Sequence, residues 1–109
     1  KDNYVNELFK FKMKGGSRQQ SLIDRLLISA MIEARSCERF KTLSENIKDE
    51  KLAKFYRDLM VSEAGHYTLF LRYARKYGEG IDVDKQWKSL LEFEGKIIKK
   101  YGKQETIHG

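Results

Sequence analysis

The sequence predicts an all-α fold: an antiparallel helical bundle of two long helices with a short helix at each end, an incomplete four-helix bundle as it stands. Three observations carry this. The 109 residues contain no proline, which would break a helix interior. Lysine and glutamate are abundant, and apolar residues recur in steps of three and four rather than two. The length fits one domain, residues 1–109, with a modest core; it is short for a complete bundle of four long helices.

The elements follow in order. Tyr4, Val5, Leu8 and Phe9 are spaced for a short helix ahead of a break at Gly15-Gly16. Ser17 with Gln20, or Ser21 with Asp24, can cap the free N–H groups of the first long helix. Over 22–44 its seam reads Ile23, Leu26, Ala30, Glu33, Cys37 and Phe40. A polar turn at Asn46-Ile47-Lys48 follows, and Asp49 can cap the second long helix. Over 52–77 that helix carries Leu52, Tyr56, Leu59, Glu63, His66, Phe70 and Tyr73 along one seam. Residues 78–83 read as a loop. Asp84 then starts a last helix bearing Trp87, Leu90, Leu91, Glu94, Ile97, Ile98 and Tyr101, closed by Gly102, with a loosely held tail from Lys103.

Both seams are apolar except at Glu33, Glu63 and His66. In a hairpin with this turn, residues whose numbers sum to about 95 lie at one height. Glu33 therefore stands level with Glu63 and within a turn of His66. A carboxylate withdrawn from water needs a partner or a metal. A Glu-x-x-His pair facing a Glu on the next helix is half of a two-metal carboxylate site of helical bundles. Two carboxylates and one imidazole suit iron or manganese better than structural zinc. The alternative is a metal-free trio joined by hydrogen bonds.

Other polar residues are read more plainly. Glu105-x-x-His108 repeats the spacing by chance, since no apolar seam surrounds it. Glu38 lies about 140° around the helix from Glu33 and pairs with Arg35 or Lys41. Glu94 is a boundary residue, with an outer role at the site as the alternative. Tyr56 and Tyr67 serve packing, with hydrogen bonding to the site's ligands as the alternative, and Cys37 serves packing rather than as a nucleophile. No glycine-rich phosphate loop, CxxC pair or Ser-His-Asp set stands out.

The formal charge is +6. Lys10, Lys12, Lys14, Arg18 and Arg25 lie near the start, Arg72, Arg75 and Lys76 end the second long helix, and Lys96, Lys99, Lys100 and Lys103 crowd the tail. This balance favours a polyanion such as RNA; an ordinary solvated basic surface is the alternative. No run of about 18 apolar residues is present to span a membrane. The single cysteine fits a reducing, cytoplasmic setting. The first residue is lysine rather than methionine and no signal pattern follows, which suggests a processed or truncated product.

Three segments resemble a known family. These are Leu22-Ile23-Asp24-Arg25-Leu26-Leu27, Ile32-Glu33-Ala34-Arg35-Ser36-Cys37-Glu38-Arg39-Phe40 and Ser62-Glu63-Ala64-Gly65-His66-Tyr67. They are similar to the second half of the tRNA-(2-methylthio-N6-isopentenyladenosine) hydroxylases, the MiaE family, most densely from Gly15 to Tyr77. The resemblance implies a ferritin-like di-iron monooxygenase. It would use O2 and two electrons from a reductase to hydroxylate the isopentenyl side chain of a modified adenosine in tRNA. Glu33, Glu63 and His66 would be iron ligands. The family's preceding helix pair, with another Glu and another Glu-x-x-His, is absent, so three of about six protein ligands are present. The missing ligands would come from N-terminal helices of the same protein. A dimerising half-bundle that binds and oxidises iron, or a metal-free helical RNA-binding module, are the other readings.

Overall fold

The computed structural model describes residues 3–11 and 16–108, with side chains through residue 100. Lys12, Lys14 and Gly15, and the side chains of Tyr101, Lys103, Glu105 and His108, lie outside that set. Most of the described residues are helical, and none of them forms a strand. The elements are α1 (Asn3–Leu8), α2 (Arg18–Asn46), α3 (Glu50–Tyr77) and α4 (Val83–His108).

Helix boundaries follow local chemistry. Gly16 has φ +55, a conformation that costs glycine little, and leads into Ser17, whose hydroxyl accepts from the Gln20 N–H at 3.0 Å. Ser21 lies inside α2 instead of capping it. Asp49 accepts from the N–H groups of Lys51 (2.9 Å) and Leu52 (3.1 Å), satisfying two of the free donors of α3.

The last helix differs from expectation at both ends. It opens at Val83, and the Lys85 N–H donates to the carboxylate of Asp82, not Asp84. It also runs past Gly102 to His108, so the C-terminal helix is long rather than short. A single glycine costs a helix interior only about 1 kcal/mol, too little to stop a helix whose neighbours on both sides favour it.

α2 and α3 form the antiparallel hairpin, tied by Phe40 stacked on Tyr56 (5.9 Å) and by the Cys37 thiol on the Met60 carbonyl at 3.6 Å. At the other end, the Gln19 amide donates to the carbonyls of Tyr77 and Glu79. α1 and α4 pack together behind α2, where Phe11 meets Phe93 at 5.4 Å. The core therefore centres on Leu8, Ile23, Leu27, Ile28, Met31 and Leu90. Leu27, Ile28 and Met31 lie off the expected seam, because α2 is covered on two sides.

The opposite face remains open. Leu22, Leu52, Phe55, Tyr73 and Tyr77 are exposed along α2 and α3. The radius of gyration, 16.0 Å, exceeds the roughly 13 Å of a compact domain of this length. The molecule is a flat helical layer, 49 × 36 × 19 Å. No described helix is long and apolar enough to cross a membrane.

Candidate metal centre

The hairpin brings Glu33 of α2 together with Glu63 and His66 of α3. One ligand atom from each lies within 4.8 Å of the others. His66 Nδ1 is 3.8 Å from Glu33 Oε2 and 3.7 Å from Glu63 Oε1. These distances exceed a hydrogen bond. They match the roughly 3–4 Å between donors that share a metal ion at about 2.0–2.2 Å. Glu33 Oε2 is buried and has no hydrogen-bond partner. An acceptor left in this state is costly, and a cation would satisfy it. The residues thus fit a metal, on burial as well as spacing.

The three side chains are not equally enclosed. The His66 side chain is 55% exposed, against 24% for Glu33 and 20% for Glu63. The site sits at the edge of the open face, since neither α1 nor α4 covers it. Glu38 lies outside it, as expected, and pairs with Arg35 at 2.8 Å. Tyr56 packs between Phe40 and Phe55, and Tyr67 against Trp87 at 6.0 Å.

Glu94 overturns its reading as a boundary residue: it is 1% exposed. Arg35 donates to it from Nε at 2.7 Å and again from Nη2, and the Tyr4 hydroxyl donates to the same carboxylate. Burial works to raise the Glu94 pKa, but the bonds from Arg35 and Tyr4 outweigh it, and the carboxyl is held below its ordinary value. The Tyr4 hydroxyl is pushed well above its usual range, by burial first and by Glu94 second. This network joins α1, α2 and α4 on the back of α2. The sequence carried one signal of it: Glu94 lies between Leu90 and Ile97 on the inward face of α4, where a carboxylate needs a cation. Its partner, 59 residues away, had no such mark.

A second buried polar group ties the N-terminal ends. The Gln20 and Gln86 side chains exchange two amide hydrogen bonds, at 2.9 and 3.1 Å, and Gln20 also donates to Asp24 at 2.9 Å.

A helical hairpin that presents two carboxylates and an imidazole at one height defines a class, the carboxylate-histidine metal proteins built on helical bundles. Comparison with known proteins then gives the particular family. Residues 3–109 match the model of the tRNA-(MS[2]IO[6]A)-hydroxylase (MiaE) family, and the chain belongs to that family. A tRNA 2-(methylsulfanyl)-N(6)-isopentenyladenosine(37) hydroxylase of Pseudomonas putida is 38% identical over 87 residues, covering 80% of this chain and 42% of that protein. The protein of the same name from Salmonella typhimurium is 38% identical over 88 residues, 81% of this chain and 32% of its own length. The chain thus spans less than half the length of these relatives. No solved structure matches.

Proposed function

We propose that this chain is the metal-ligating C-terminal part of a di-iron hydroxylase acting on 2-methylthio-N6-isopentenyladenosine in tRNA. The convergence of Glu33, Glu63 and His66, with Glu33 Oε2 lacking a hydrogen bond, carries the reading. Family membership and the names of the relatives support the substrate. Cytoplasmic location follows from a tRNA substrate.

Glu33 and Glu63 would hold the metal from two helices, so the hairpin itself fixes the separation of the carboxylates. His66, one turn beyond Glu63, would add an imidazole nitrogen donor. When bound, iron would supply the activation of O2 for hydroxylation, with electrons from a reductase. The protein's part would be to keep three donors aimed at one point, and the α2–α3 packing supports that role. The exposure of His66 leaves the site half enclosed. The remaining ligands and walls would come from the rest of the protein or, in the second reading, from another copy of this chain. The open face of Leu22, Leu52, Phe55, Tyr73 and Tyr77 supports a covering helix layer in either case.

The test uses the complete protein. Glu63→Ala should abolish hydroxylation of the modified adenosine while tRNA affinity stays within about twofold of the parent. Full activity in that variant would sink the assigned chemistry.

A further inference from the structure

The basic residues are not equivalent. Arg75 is bound to Asp84 at 3.1 Å, and the Lys76 ammonium lies 5.4 Å from the Tyr77 ring centre. Lys10 and Lys54 have carboxylate partners. Lys85, Lys88, Lys96 and Lys99 of α4 are all exposed and form no ion pair among the described residues.

Their spacing places them together. Starting at Lys85, steps of three, four, four and three reach Lys88, Glu92, Lys96 and Lys99. At 3.6 residues per turn these positions share an arc of about 80°, roughly opposite the buried Leu90. The row is about 21 Å long at the helical rise. Glu92 is the single carboxylate in the arc. An ordinary solvated helix face mixes both signs so that pairs three and four apart attract; this one sets four ammonium groups against one carboxylate. The opposite side of α4 is fixed by Leu90, Glu94 and Ile97 in the core, so the row cannot turn inward. The Arg75–Asp84 bond also joins its N-terminal end to the basic end of α3.

We propose that the Lys85–Lys99 face of α4 is a docking surface for the phosphate backbone of tRNA, and a stronger one than the Arg72, Arg75 and Lys76 cluster. This rests on the tRNA reading above and deepens it. The occupant is chosen by charge complementarity: a row of point cations along one helix face matches a line of phosphates, reads no base and leaves specificity to the metal-bearing face.

The experiment measures affinity of the complete protein for a transcribed tRNA across a salt series. It compares the parent, a variant with Lys85, Lys88, Lys96 and Lys99 all changed to Gln, and one with Arg72, Arg75 and Lys76 all changed to Gln. Circular dichroism confirms that each variant folds. The four-lysine variant should bind at least tenfold more weakly, and its slope of log affinity against log salt should be shallower by about 3. The α3 variant should lose less. Glu92→Lys should bind at least twofold tighter than the parent. A four-lysine variant within twofold of the parent, with an unchanged slope, overturns the proposal but leaves the tRNA reading intact. A parent protein that binds no tRNA even at low salt overturns that reading too. Loss of binding to phosphatidylserine vesicles with tRNA affinity unchanged assigns the row to a membrane surface and likewise overturns the proposal.

Discussion

At the scale of the residue, two carboxylates show how one side-chain type serves different ends. Glu33 has a buried oxygen with no hydrogen-bond partner, whereas Glu94 accepts from both Arg35 and Tyr4. The Glu94 network can be dissected by asymmetry. Arg35→Ala should cost about 3–5 kcal/mol, because it strands a buried charge. Glu94→Leu should cost far less, since Arg35 is 35% exposed and can turn to water while leucine fills the core. Chemical denaturation of both variants checks the order; equal losses would contradict it. The pH dependence has a definite sign. The Glu94 carboxyl is held below its unfolded value, so its contribution is present above about pH 4.3 and fades as pH falls through the folded value. The decline of thermal stability below that pH should therefore be shallower in Glu94→Leu than in the parent.

At the scale of the element, the site depends on how the helices start and stop. Asp49 fixes the start of α3, and thereby the height of Glu63 and His66 against Glu33. Asp49→Ala should cost about 1 kcal/mol, the usual value of an N-cap, read as a lowered midpoint in urea. Gly78 fixes the other end. A Cβ there would meet the Ala74 carbonyl at 2.5 Å and Val83 Cγ2 at 2.8 Å. Gly78→Ala should thus destabilise by about 1–3 kcal/mol through overpacking, measured in the same assay. An unchanged midpoint would mean that the α3–α4 junction yields more readily than its packing implies. Caps and turns were legible in the sequence because their chemistry is local: Ser17 and Asp49 act within three residues. The true start of α4 was missed by one residue, since Asp82 and Asp84 are equally good caps on paper. Only the seating of Val83 in the core separates them.

At the scale of the whole molecule, the flat layer leaves Glu33, Glu63 and His66 at the edge of an open apolar face. The isolated chain should bind ferrous iron weakly, or tightly only when it associates. Titration with ferrous iron, followed by light scattering, tests this. Tight binding of two ions by a monomer would contradict the half-site argument. Bound ion should also stabilise the fold, by about 2.7 kcal/mol at a hundredfold excess over the dissociation constant, and Glu33→Ala should remove that gain.

The sequence by itself determined the helical class, the α2–α3 hairpin and the height match of Glu33, Glu63 and His66. These follow from helical period and a short turn, which fix geometry between neighbours in the chain. It could not determine how far the site is enclosed. His66 lies on an apolar seam beside Glu33 and Glu63 yet stays half exposed, because exposure depends on what covers the seam, and α1 and α4 pack behind α2 instead. The same distant packing made Glu94 a buried anion rather than a rim residue. Periodicity says which face of a helix is apolar; only the tertiary structure decides which element lies against it.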